Sequence, residues 1–307
     1  MPATVRVPST GGVTLALHDL GGSGQPLLLC HATGFHALTW APVAAELAGV
    51  AHGWAPDLRG HGDSTGPDDG DYAWRGVADD VLAVVDHLAD GAGAGGDREG
   101  GDREGGDREG GGGGLVAAGH SMGGAALVMA ELARPGTFAG LWVFEPILFP
   151  PPEGSGAVPG ARPPGAPDLA EGARRRRRSF PDRETAAANY AAKPPLGTFD
   201  PAALRAYVDH GFRDVPGDGV ELKCAPEVEA RVFEGGRDTG AFARLGEVRC
   251  PVTVAAGREG GPAALAPVVA AALSRGRLET FPHLSHFGPM EDPAGIAAAV
   301  AAALHLA

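Results

Sequence analysis

The sequence is poor in cysteine, in positive charge and in long apolar runs, and each shortage argues against a class of function. Its three cysteines, Cys30, Cys224 and Cys250, lie far apart and make no CxxC or CxxH spacing. That argues against a zinc site or a disulfide framework, and the thiols read as reduced and buried. Lysine and arginine total 25 against 38 acidic residues, a formal net charge of −13. Nonspecific nucleic-acid binding needs a basic face for the phosphates, which this balance does not supply. No apolar run approaches the roughly 18 residues of a membrane span. The opening segment MPATVRVPSTGGVTL has no basic stretch leading into an apolar one, so no secretory signal is read and a cytoplasmic location is expected. Neither a dinucleotide glycine fingerprint nor a phosphate loop is present: GHSMGG, 119–124, lacks the lysine that a phosphate loop needs. No cofactor and no metal are expected.

What is present is a long alternation of strands and helices. The 307 residues, 44% hydrophobic, suffice for one large core with an insert. TVRV and VTLALHDL read as strands, with Gly11 and Gly12 at the turn. PLLLCHA (26–32) is a continuous apolar run, as expected of a parallel strand buried on both faces. TWAPVAAELA has helical spacing, VAHGWAPDLRG is a strand with its loop, and YAWRGVADDVLAVVDHLAD is an amphipathic helix. GLVAAGHS and FAGLWVFEP are strands around the helix AALVMAELARP. CPVTVAAG and GRLETFP resume the strands near the end. DPAGIAAAVAAALHL closes the chain as a helix, with Asp292 as N-cap and Pro293 at its first position. After the opening hairpin this pattern predicts an α/β fold, mostly parallel, with helices on both faces. Sites in such sheets form at the carboxyl ends of the strands.

Two segments interrupt the alternation. Residues 95–114 repeat the unit DREGG, which reads as a charged, glycine-rich flexible connection. The period and the lack of a recurring apolar residue do not fit a calcium-binding repeat. Residues 147–245 start rich in proline and continue with the helical stretches RETAAANYAAK, PAALRAYVDHGF and PEVEARVFE. They are long enough to form a helical cap or lid. The expected division is a first core part over 1–146, the lid over 147–245, and a second core part over 246–307. The run Arg174–Arg178 lies in the lid; it reads as a solvated face, or as holding lid to core, or as guiding an anionic substrate.

GHSMGG follows a strand and opens a helix, the context that Gly-x-Ser-x-Gly requires. Gly119 and Gly123 leave room for a sharp turn, and Ser121 projects from it. The helix behind it aims its N-terminal amides at a developing anion. HATGFHALTW follows the third strand, DLRGHGDS the fourth, and SHFGPMEDP lies after the last. Together with GHSMGG, these motifs resemble the α/β-hydrolase superfamily over essentially the whole chain apart from the DREGG repeat, and look like a lidded serine esterase or lipase. The resemblance implies an eight-stranded core sheet and a Ser-acid-His triad.

On that resemblance Ser121 is the nucleophile and His286 the general base, preferred over His283 because HFGPMEDP resembles the terminal motif of the superfamily. The backbone amides of Thr33 and Met122 are the implied oxyanion hole, although His31-Ala32 stands where His-Gly is common. His31 reads as stabilising its loop, His36 as touching substrate or starting a helix, and Asp57 and Arg59 as organising loops. The acid is less direct. The turn VTVAAGREGGPAAL, 252–265, where such enzymes commonly carry an aspartate, has none; its candidate is Glu259. The other candidate is Glu145, ending the apolar strand LWVFEP. A carboxylate there is costly to desolvate unless paired, which favours Glu145. The expected reaction is hydrolysis of an ester or related acyl bond of a small-molecule acyl substrate, through an acyl-enzyme. Carbon–carbon bond hydrolysis of a diketone-like acid, a noncatalytic small-ligand receptor, and cofactor-free oxygenation are the alternatives.

Overall fold

The computed structural model describes residues 2–94, 114–151, 168–217, 219–236 and 239–306. The DREGG repeat and the proline-rich start of the insert therefore fall mostly outside the described residues. The chain begins with the hairpin Thr4–Pro8 (β1) and Thr14–Gly22 (β2), then alternates through Gln25–Cys30 (β3), Ala41–Leu47 (α1), Ala51–Asp57 (β4) and Trp74–Ala94 (α2). Val116–His120 (β5), Met122–Ala133 (α3) and Gly140–Phe144 (β6) follow.

Between β6 and the next core strand lie Leu169–Arg174 (α4), Ser179–Phe180 (β7), Arg183–Ala191 (α5), Pro201–Gly211 (α6), Phe212–Val215 (β8), Gly219–Leu222 (β9) and Pro226–Gly235 (α7). The core resumes with Val252–Ala256 (β10), Ala266–Ala272 (α8) and Gly276–Thr280 (β11), and ends with Gly288–Glu291 (α9) and Pro293–Leu304 (α10).

Eight strands form one sheet in the order β1-β2-β4-β3-β5-β6-β10-β11. Only the pairings of β2 are antiparallel; from β4 to β11 every neighbour is parallel. The two faces carry separate cores, as the two-residue strand period requires. Leu28, Cys30, Ala117, Leu141 and Val143 pack beneath α2, α3 and α8. Their neighbours Leu27, Leu29, Ala118, Trp142 and Phe144 pack beneath α1 and α10. In α10 the buried positions Ile296, Ala297, Val300 and Leu304 recur at helical spacing, and the Asp292 side chain caps the helix by accepting from the Gly295 amide at 2.9 Å.

The insert holds the helices read from the sequence and also a small antiparallel sheet, β7-β9-β8, that was not expected. A third apolar cluster joins it to the core: Phe180, Tyr190, Phe199, Tyr207 and Phe212 pack with Ala32, Phe35 and Met290. This cluster lies beside the loops at the carboxyl ends of β3 and β5. Cys30, Cys224 and Cys250 are free and buried, and burial pushes the Cys250 thiol up to about 12. Among the described residues no helix is long and apolar enough to cross a membrane.

Candidate active site

Ser121 stands between the end of β5 and the first residue of α3 with φ 54° and ψ −114°. A residue with a Cβ adopts a positive φ only when its surroundings impose it. Two glycines do so here. A Cβ on Gly123 would lie 2.3 Å from the Cys30 carbonyl oxygen, and one on Gly119 would lie 2.7 Å from the Gly124 amide nitrogen. The serine amide donates to Phe144 O at 2.9 Å, which ties the turn to β6. The turn therefore needs small residues on both sides of the serine, and α3 points its amino end at the same spot.

Glu145 follows β6 and also has a positive φ, 44°. Its amide donates to Ala255 O at 2.8 Å, and its side chain is 1% exposed. A carboxylate so buried needs partners, and it has two. Oε1 accepts from the Gly257 amide at 2.8 Å, and Oε2 lies 2.6 Å from His286 Nδ1. A carboxylate at Nδ1 assigns the ring proton to that nitrogen and leaves Nε2 with a lone pair. The His286 ring lies 4.8 Å from the ring of His120, the residue before Ser121, which places His286 beside the serine turn. Glu145 and His286 are thus brought together. Glu259 is exposed on the turn after β10, and His283 is exposed, with a 3.8 Å approach to Asp292 and a ring contact with Phe281.

The loop after β3 is held by buried neutral histidines. His31 Nδ1 donates to Ala32 O at 2.8 Å and Nε2 accepts from the Leu58 amide at 3.0 Å. Burial, with His61 nearby, lowers its pKa to about 3. His61 Nε2 accepts from the Gly34 amide at 3.0 Å while its Nδ1 donates to Arg59 O. These bonds fix the backbone on either side of Thr33. Thr33 Oγ1 donates to Met122 Sδ at 3.4 Å, so the two implied oxyanion residues adjoin. Among the described residues neither the Thr33 nor the Met122 amide donates to an acceptor. His36 is buried, bonds to Tyr207 O at 3.2 Å, and has its pKa lowered to about 4 by burial.

Asp57 and Arg59 organise loops, as expected. Asp57 accepts from the Ala37 and Asp63 amides and from His18 Nε2. Burial pushes its pKa up, but the His18 hydrogen bond, the nearby His18 and His36 rings and the Asp63 amide together outweigh this and hold it well below the usual range. His18, Asp57 and Asp63 have the spacing of a metal cluster, but Asp57 is occupied by these bonds and His18 also pairs with Thr4. Arg59 makes a two-pronged contact with Asp80, both bonds at 2.8 Å.

The Arg174–Arg178 run mostly binds the insert to itself. Arg174 pairs with Glu227 and Glu234, Arg175 with Glu171, and Arg178 with Glu221. Arg176 turns inward, where Glu229 and Tyr207 both engage it at 2.5 Å against Gly34 of the core loop.

Several residues of the site escape sequence reasoning. Phe35, Phe199 and Phe287 meet with ring centroids 5.8–6.1 Å apart over His120 and His286, although they come from three distant segments. The only signal in sequence is that Phe35 and Phe287 adjoin the motifs. Among the described residues His120 Nε2 is the one buried side-chain nitrogen or oxygen without a hydrogen-bond partner. Burial, with His286 nearby, drives the pKa of His120 well below the ordinary value.

The sequence model of a family described as the alpha/beta hydrolase family matches residues 27–299. Uncharacterized proteins of Mycobacterium tuberculosis and Mycobacterium bovis are 38% identical over 88 residues, 28% of this chain and 25% of theirs. The chain thus spans about a quarter of the length of the curated relatives it matches. Among solved structures, E-2-(acetamidomethylene)succinate hydrolase superposes with a TM-score of 0.75 at 19% identity, covering 99% of this chain and 100% of that one. A thermophilic esterase from Thermogutta terrifontis, with malate bound, gives a TM-score of 0.65 at 20% identity, covering 99% of this chain and 98% of that one. These two likenesses are likenesses of fold.

Proposed function

Because the chain belongs to the alpha/beta hydrolase family, we propose that it is a serine hydrolase cleaving an ester or a related acyl bond. The observation that carries this reading is the 2.6 Å contact of His286 Nδ1 with the buried Glu145 carboxylate, beside a serine held at positive φ. In this reading His286 Nε2 takes the Ser121 proton as the oxygen attacks the acyl carbon. The tetrahedral oxyanion is received by the Thr33 and Met122 amides at the amino end of α3. His286 then returns the proton to the leaving group, and a water repeats the sequence on the acyl-enzyme. Glu145 keeps the imidazole in one tautomer and stabilises the imidazolium.

Residues 147–245 act as the lid in this proposal, dividing the core into 1–146 and 246–307. The phenylalanines 35, 199 and 287 give the reacting centre an apolar wall, which suits an apolar acyl group. Carbon–carbon bond hydrolysis of an acid would call for a cation free to meet a carboxylate. Arg176, the inward arginine, is already engaged by Glu229 and Tyr207, so the ester reading is preferred. The test is mass-spectrometric mapping of a fluorophosphonate adduct. A single adduct on Ser121, absent from Ser121→Ala, is the expected result; folded protein that takes no adduct overturns the proposal.

A further inference from the structure

The turn Thr198-Phe199-Asp200 of the insert is seated on the loop that carries His286 by three separate contacts. Thr198 Oγ1 lies 2.7 Å from Glu291 Oε1 and 2.8 Å from Pro195 O, so its one proton is shared between the lid turn and the loop carboxylate. The Asp200 amide donates to Met290 O at 2.8 Å. The Phe199 ring lies 5.8 Å from that of Phe287. Glu291 continues this connection toward the base. Its Oε1 also accepts from Ser285 Oγ at 2.7 Å, and its Oε2 accepts from the Ser285 amide at 2.6 Å. Ser285 Oγ in turn accepts from the Phe287 amide at 3.1 Å. His286 is therefore bracketed: Glu291 holds both the amide and the hydroxyl of the residue before it, and that hydroxyl holds the amide of the residue after it.

We propose that Glu291 is a positioning residue that transmits the seating of the lid turn at Thr198 to the loop holding His286. The inference rests on the hydrolase reading for its effect on chemistry, because it is the imidazole over Ser121 that the connection steadies. With Thr198 docked, one Glu291 oxygen serves lid and loop together, so departure of the lid loosens the base. Glu291 touches no reacting atom in this scheme.

The test uses the full chain carrying Thr198→Val, Ser285→Ala, both together, and Glu291→Gln. Thr198 is exposed, so Thr198→Val removes one hydroxyl without disturbing the core. Amide hydrogen exchange is followed across 284–288, together with the rate constant for fluorophosphonate modification of Ser121. Thr198→Val is expected to speed exchange at the Ser285 and Phe287 amides severalfold, in residues its side chain does not touch. It should also lower the modification rate constant by about tenfold, without weakening reagent binding or lowering the melting temperature. The Thr198→Val and Ser285→Ala effects should combine to less than their product, since both act through Glu291. Faster exchange confined to 195–200, an unchanged modification rate, or effects that multiply would each overturn the proposal. If wild-type protein takes no adduct, the hydrolase reading fails, and the exchange pattern alone decides the coupling.

Discussion

Glu145 and Gly257 close the ends of the adjacent parallel strands β6 and β10, and the Gly257 amide donates to Glu145 Oε1 at 2.8 Å. The glycine leaves the space that the glutamate fills. A Cβ on Gly257 would come within 2.6 Å of Leu284 O and 3.1 Å of Glu145 Oε1. The turn 252–265 therefore supplies an amide to Glu145, whose carboxylate reaches His286 from the neighbouring strand.

On the proposed function, Glu145→Gln is expected to lower the rate of Ser121 modification and of ester turnover by roughly ten-thousandfold, the scale seen when a triad carboxylate is made an amide. Glu259→Gln should leave both unchanged. Stopped-flow labelling of the two variants checks this, and equal losses would mean that the base is oriented by neither carboxylate alone.

The core was legible because its elements are long and periodic. Strand β3 shows its double burial as the uninterrupted run PLLLC, and α10 announces itself with Asp292-Pro293 and with its large apolar side chains Ile296, Val300 and Leu304 spaced four apart. The small sheet was not, because β7 has two residues and β8 and β9 four each, too few to display alternation. Sequence could name Glu145 and Glu259 but had only the desolvation cost of the first to separate them; the Gly257 amide that engages Glu145 comes from 112 positions away. His61 and Glu291 act through partners that no local pattern reveals.

Two glycine-to-alanine changes, one in the serine turn and one in α4, have opposite expected outcomes. In Gly123→Ala the new methyl meets the Cys30 and His31 carbonyl oxygens at 2.3 and 2.6 Å, both backbone atoms that cannot step aside. A loss of about 3 kcal/mol is expected, along with loss of labelling. Gly172, in α4, has no atom within 4 Å of its would-be Cβ. Gly172→Ala should gain about 0.5–1 kcal/mol through helix propensity and a less flexible unfolded chain. Urea unfolding of both variants tests the pair.

Stability should fall on mild acidification. His31 and His36 are held to about 3 and about 4 against an ordinary value of 6.5, chiefly by burial. Between those values the unfolded chain binds protons that the native protein refuses, so stability rises with pH. The contribution is complete above about pH 6.5 and drains away as pH falls toward the folded values, by about 1.5 kcal/mol for each histidine between pH 6.5 and 5. Asp57 has the opposite origin, a depressed carboxylate whose contribution is lost only below its ordinary value of 3.8, and so does not act in this window. Urea midpoints at pH 6.5 and 5 measure the slope; a flat profile would mean that these rings are not buried neutral.

Arg59 and Asp80 are both nearly inaccessible, with side chains 5% and 0% exposed. Asp80→Ala leaves a buried guanidinium without its carboxylate and should cost about 3–5 kcal/mol. The pair lies outside the reacting groups, so protein that remains folded should label at the wild-type rate.

Ser121 offers a test of whether the turn stores strain for its chemistry. At an ordinary helical position glycine is less stable than alanine by about 1 kcal/mol. At φ 54° the order should invert, because alanine keeps the Cβ that the backbone must accommodate and glycine does not. Ser121→Gly is therefore expected to unfold at higher denaturant than Ser121→Ala, by about 1 kcal/mol, while neither variant takes a fluorophosphonate. Ser121→Ala being the more stable of the two would place the residue in a relaxed conformation in solution. The elbow would then form only when substrate is present.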